Sequence, residues 1–210
     1  MLSRFNLSRL GRLLALLLVL CAPQTDAQTL RLSQLSNETT QASASVGDTL
    51  SLQIRAQLGS LSATGLTLFV RFSSTAFTAV DADGDSANGL QPFAPGSLFA
   101  GAIVFDNAPV SDHELLAATD WQLISYAAVL GAGESRAKSG AGEVATFRLV
   151  CLESVESEIS IYRSPIHETR LVLSDGRSER DFKPVAPLVV SITDEGVTTA
   201  PWSAIKHQPR

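Results

Sequence analysis

The chain has 210 residues and a formal net charge of −5; 18% of its residues are charged and only 6% are aromatic. That acidic balance argues against a nucleic-acid partner, because phosphate backbones are repelled. The length fits one domain plus a leader, and two cysteines, Cys21 and Cys151, cannot make a disulfide-rich scaffold.

Residues 1–12 carry Arg4, Arg9 and Arg12 and no acidic residue, and the apolar run Leu13-Leu14-Ala15-Leu16-Leu17-Leu18-Val19-Leu20 follows. A polar stretch then ends in Thr25-Asp26-Ala27, with small residues at the expected cleavage point. This order predicts a secretory signal over 1–27. The apolar run is far short of the ~20 residues that span a bilayer, so no transmembrane anchor is expected. Leu18-Val19-Leu20-Cys21 resembles a lipoprotein box, but Leu20 occupies the position of a small residue, so ordinary cleavage after Ala27 is preferred over lipidation at Cys21. The expected location is exported: periplasmic, cell-surface or secreted. Removing 1–27 leaves 13 basic and 20 acidic residues, a net charge of −7, with Cys151 as the remaining thiol. A chain of this size without disulfides has to be held by its core.

The mature chain reads as strands and turns. Residues 48–56 alternate, with Leu50, Leu52 and Ile54 on one face, which predicts a half-buried strand; Val46-Gly47-Asp48 before it is turn chemistry. In 65–72, Leu66, Leu68, Val70 and Phe72 point one way and Thr67, Phe69 and Arg71 the other. Further strands are predicted at 77–80, 103–105, 121–130, 143–152, 159–162, 170–173 and 188–192. Pro95-Gly96, Gly131-Ala132-Gly133, Gly140-Ala141-Gly142 and Ser174-Asp175-Gly176 punctuate them. Ser111-Asp112-His113-Glu114 is a capping box before Leu115-Leu116-Ala117-Ala118, which predicts one short helical insertion. The tail from 194 is expected to be loosely ordered. The fold class expected is all-β, a single sandwich of about nine strands with jelly-roll topology over 28–193.

Several residues invite chemistry. Asp81, Asp83 and Asp85 are calcium candidates, since a hard cation wants clustered oxygens. However, Gly84 stands fourth and Pro92 twelfth in that loop, where an EF-hand needs glycine sixth and glutamate last, so a solvated acidic loop is preferred. His113, His167 and His207 lack metal spacing and read as surface histidines. No Gly-x-Ser-x-Gly elbow is present, and Glu153, Glu156 and Glu158 read as a solvated patch. Cys151 falls on the face of Ala145, Phe147 and Leu149, opposite Val144, Thr146, Arg148 and Val150, and reads as a buried inert thiol. Asn37-Glu38-Thr39 is a glycosylation sequon, meaningful only in a eukaryotic host. No cofactor is implied.

The order of motifs resembles a cohesin domain. Val46-Gly47-Asp48-Thr49-Leu50 matches the turn that opens a strand, and Gly65-Leu66-Thr67-Leu68-Phe69-Val70-Arg71-Phe72 the strand that follows. Pro95-Gly96-Ser97-Leu98-Phe99, Gly142-Glu143-Val144-Ala145-Thr146-Phe147 and Leu173-Ser174-Asp175-Gly176 match later signatures. The likeness covers roughly residues 40–193. It departs from the family at Phe72-Ser73-Ser74-Thr75, where a Tyr-Asp-Pro ending is usual, and in a longer 106–120 segment. The resemblance implies a non-catalytic module that binds a dockerin or another extracytoplasmic protein on a sheet face. The docking residues would then be Thr67, Phe69 and Arg71. Phe69 reads equally as an interface anchor or as core beneath 106–120. Two alternatives stand beside this reading: a carbohydrate-binding module using Trp121, Tyr126 or Trp202, and a structural subunit of a surface assembly whose stretch 28–45 adds a strand to a neighbour.

Overall fold

The computed structural model describes residues 28–111, 120–131, 133, 135–176, 179–183 and 185–194. The predicted signal segment with Cys21, the capping box beyond Ser111 with His113, and the tail from 195 with Trp202 and His207 lie outside the described residues.

Thirteen strands are present among the described residues: β1 (Thr29–Gln34), β2 (Gln41–Ser45), β3 (Thr49–Gln57), β4 (Ala63–Ser73), β5 (Phe77–Val80), β6 (Phe93–Pro95), β7 (Ile103–Pro109), β8 (Trp121–Val129), β9 (Ala141–Cys151), β10 (Glu156–Ile161), β11 (Arg170–Leu173), β12 (Glu179–Asp181) and β13 (Leu188–Thr193). All nine expected strands are among them. The four additions correct the expected count; β1 carries its own alternation, with Leu30 and Leu32 buried, and the other three are held by pairing more than by their own pattern. β6 has three residues and ends on a proline, and β12 is Glu-Arg-Asp. β2 is built from Gln, Ala and Ser, poor strand formers that run parallel to β13. β1 and β2 together use up the stretch expected to reach a neighbour: β1 pairs with β3 and β2 with β13 inside the same molecule.

Two sheets form a sandwich. One runs β1-β3-β9-β5 with β6 also on β9; the other runs β12-β11-β4-β10-β13-β2, with β8 on β4 and β7 on β8. The two eleven-residue strands organise the sheets. β9 carries β3 on one edge and β5 and β6 end to end on the other. β4 carries β8 on one edge and β10 and β11 end to end on the other. The Val46–Asp48 turn passes the chain from one sheet to the other. Gly47 there has φ +90°, and the Asp48 carboxylate accepts a hydrogen bond from Ser45 N–H at 2.8 Å.

The inward faces meet in one core. Leu30, Leu32, Leu52, Ile54, Phe147 and Leu149 come from the first sheet; Leu66, Leu68, Val70, Phe72, Ile159 and Val190 come from the second. Burying each such side chain stabilises the fold by roughly 1.5–3 kcal/mol. Alternation slips in β9. The register runs from Ile54↔Ala145 to Arg55↔Glu143, so Val144 is a bulged residue and is buried, not on the outer face with Thr146 and Arg148. Cys151 is buried in the same core, where desolvation and then the nearby Asp48 charge push its thiol above the ordinary range.

One local device packs two strands of a sheet closely and another joins the two sheets. A side chain at Gly65 would meet the Ala128 carbonyl at 2.3 Å, so only glycine lets β8 approach β4 there. Asn107 on β7 accepts from Phe93 N–H at 2.9 Å and donates to Phe93 C=O at 2.8 Å. Its amide thereby acts as a strand partner for β6 and links the two sheets.

Candidate partner-binding face

Alternation along β4 places Thr67, Phe69 and Arg71 on the outer face of the eight-stranded sheet, each half-buried, between fully buried Leu66, Leu68, Val70 and Phe72. Cross-strand register decides what surrounds them. Ser125 lies opposite Phe69, Leu123 opposite Arg71 and Trp121 opposite Ser73, so Trp121 is a diagonal neighbour of Arg71 on that face. On the other edge Ser160 lies opposite Arg71, which makes Tyr162, two residues on, the diagonal neighbour from that side.

Between β10 and β11 the chain leaves the β4 edge and returns. Tyr162 N–H still bonds Phe69 C=O at 2.8 Å, whereas Phe69 N–H bonds the Thr169 hydroxyl at 3.0 Å. That hydroxyl in turn donates to Tyr162 C=O at 2.8 Å, closing the gap with one side chain. The excursion is a tight turn in which the Ser164 hydroxyl accepts from His167 N–H at 3.0 Å and Ser164 N–H bonds His167 C=O at 2.9 Å. It sets the His167 ring edge-on against Phe69, 5.0 Å between centroids, and 6.3 Å from Tyr162. His167 is 6% exposed, so it is no surface histidine; it is what half-covers Phe69.

The Arg71 guanidinium lies 4.5 Å from the Trp121 ring centroid and 5.2 Å from that of Tyr162. Cation–π contacts of this kind contribute roughly 0.5–2 kcal/mol each. Arg71 Nε is out of water with no hydrogen-bond partner among the described residues. The face therefore joins Phe69, His167, Tyr162, Arg71 and Trp121 into one aromatic and cationic strip. Phe69 and Arg71 were legible in the sequence. Tyr162 and His167 were not, because a loop returning to the same strand edge carries them; the turn-forming run Ser164-Pro165 was the available signal.

Other candidates separate. Tyr126 is 2% exposed and packs on Phe93 at 5.5 Å in the core, so it cannot present a ring to a sugar. The aspartates serve their own loop. Asp83 accepts from Asp85 N–H and the Asn88 amide, which hold its carboxyl below the usual range, in that order of effect. Asp85 caps a single 3-10 turn over Ser86–Asn88, and Asp81 accepts from Gln91 N–H. Among the described residues no three His, Cys, Asp or Glu side chains converge on a metal position. Glu153, Glu156 and Glu158 are exposed. A polar cleft of about 470 Å³ beside β2 is lined by Gln34, Asn37, Gln41, Ser43, Ser191 and Glu156. Glu156 is its one titratable group, so it lacks the acid–base pair of a hydrolase. Ile103 and Phe105 are exposed on the edge strand β7, where the bulge at Phe105 interrupts the edge.

No family model matches the sequence, and no curated protein matches it. Solved structures do. A type II cohesin domain from the Acetivibrio cellulolyticus cellulosome is similar, with a TM-score of 0.59 and 14% identity, over 78% of this chain and 95% of that one. A type II cohesin–X–dockerin complex from the same organism gives a TM-score of 0.53 at 13% identity, over 80% and 95%. A cohesin module from a family 33 glycoside hydrolase of Clostridium perfringens gives 0.50 at 10%, over 80% and 98%. The fold is cohesin-like, as the motif order implied.

Proposed function

We propose that the chain is a non-catalytic, extracytoplasmic protein-binding module that holds a dockerin-like partner on the outer face of its eight-stranded sheet. The observation that carries this reading is the convergence of Phe69, His167, Tyr162, Arg71 and Trp121 on one flat face. Aromatic residues and arginine dominate the energetic centres of protein interfaces, and a sheet face presents them with little entropy left to lose. The cohesin-like fold agrees with it, since one similar structure is a cohesin bound to an X–dockerin. The signal segment predicted over 1–27 supports an extracytoplasmic location, and Thr67 would complete the docking set beside Phe69.

The test is capture from the host's extracytoplasmic fraction, using the chain with Phe69→Ala and Arg71→Ala variants as controls. One protein retained by the parent and lost by both variants is the expected result. Retention unchanged in both variants would place docking elsewhere.

A further inference from the structure

We infer that Arg71 is a preorganised receptor for a carboxylate, an Asp or Glu side chain on the docking partner; this rests on the docking face proposed above. The first reason is a contrast among arginines. The other six whose side chains are described each reach an oxygen. Arg31 donates to Glu38 C=O, Arg136 to Leu130 C=O and Arg148 to Asp81 C=O. Arg55 pairs with Glu38, Arg163 with Asp181, and Arg170 with Glu168 and Asp181. Arg71 reaches none among the described residues and rests on two ring faces instead.

The second reason is desolvation. Among the described residues Nε is buried without a partner, and the rings flank the guanidinium, so part of the cation's hydration is gone and no anion among those residues has replaced it. Buried polar groups left unbonded are few in folded proteins and call for a reason. The terminal Nη atoms are neither hydrogen-bonded nor among the buried unpaired atoms, so they stay reachable and offer two parallel donors that fit a carboxylate end-on. Glu158 lies on the same face two residues before Ser160, and Asp120 precedes Trp121. No ion pair joins either of them to Arg71. The acidic charge of the rest of the surface is screened beyond about 8 Å, whereas a contact pair between aromatic walls is not.

The probe is a displayed library of random helical peptides selected on the full-length chain. Selected peptides that lose binding on Phe69→Ala should share an Asp or Glu. Changing that residue to Gln or Asn in the peptide should weaken binding about tenfold or more, as for a charge-assisted hydrogen bond, while the same change measured on Arg71→Gln should matter less than about twofold. Arg71→Lys should restore part of the difference. Because the peptide substitution leaves the protein untouched, misfolding cannot imitate the result. Phe69-dependent peptides with no shared acid, or indifferent to Arg71→Gln, overturn the inference and leave the docking face standing. If no selected peptide depends on Phe69, the docking face falls and the inference with it.

Discussion

On the outer face of the five-stranded sheet stand Arg31, Ser51, Arg55, Thr146 and Arg148, placed there by the same alternation that buries Leu30, Leu52, Ile54 and Phe147. Its arginines are tied to oxygens of their own chain. The outer face of the eight-stranded sheet carries Phe69, Arg71, Trp121 and the ring-bearing excursion with Tyr162 and His167. Both sheets contribute similarly to the core, so stability does not require this asymmetry. A face whose arginines are tied to oxygens of its own chain offers a partner little charge, although Ser33 Oγ there is buried without a hydrogen-bond partner among the described residues. A face finished with rings and an arginine that reaches no oxygen among those residues offers more.

The largest expected effect comes from breaking the second sheet while sparing the first. Gly65→Ala drives a methyl into the Ala128 carbonyl, and parting β4 from β8 should cost about 3 kcal/mol or more. The corresponding change in the first sheet, Gly142→Ala, meets Leu98 less closely, its Cβ at 3.1 Å and its Cα at 3.5 Å, and should cost under about 1 kcal/mol. Urea unfolding midpoints compare the two directly, and equal losses would show that close approach at Gly65 is not what holds β8. Next is Asn107→Ala, which leaves both Phe93 backbone groups unpaired between the sheets. A loss of about 2 kcal/mol is expected, and Asn107→Asp, which keeps the acceptor and removes the donor, should fall between it and the parent.

The faces themselves separate stability from binding. Phe69→Ala and Arg71→Ala should each change stability by less than about 1.5 kcal/mol, since both side chains are only half-buried, yet abolish partner capture. Arg148→Ala, on the other face, should leave capture unchanged. Loss of capture in Arg148→Ala would erase the distinction between the two faces.

How much of this was legible follows from where the information lies. The period-two runs of β3 and β4 placed Leu52, Leu68 and Phe72 inward and Phe69 and Arg71 outward, because burial on one face enforces alternation within the strand itself. β2, β6 and β12 were not legible, since Gln-Ala-Ser-Ala-Ser and Glu-Arg-Asp become strands only through β13 and β11. Val144 was misplaced because a bulge is written in the pairing of two strands and not in either one. Half of the candidate face shared that fate. Arg71 sits beside Trp121 through the β4–β8 register, and His167 covers Phe69 through a turn that leaves one strand edge and comes back to it.

The smallest expected effect compares the two sheets from inside. Cys151 enters the core from the five-stranded sheet and Tyr126 from the eight-stranded one, and burial raises the pKa of both. For each, the folded chain holds its proton at a pH where the unfolded chain releases it. The stabilisation is thus complete below the unfolded-state value and lost as pH rises through the folded-state value, with a slope of at most about 1.4 kcal/mol per pH unit per group. The thiol begins to act above about pH 8.5 and the phenol above about pH 10. Denaturant midpoints at pH 7, 9 and 10.5 should therefore fall in two stages. Cys151→Ala should remove the fall that begins above about pH 8.5 and continues to the thiol's raised folded-state value, and Tyr126→Phe only the added fall above about pH 10. A single stage unaffected by Cys151→Ala would mean that the thiol reaches water from the five-stranded side, and that the core is not closed equally by both sheets.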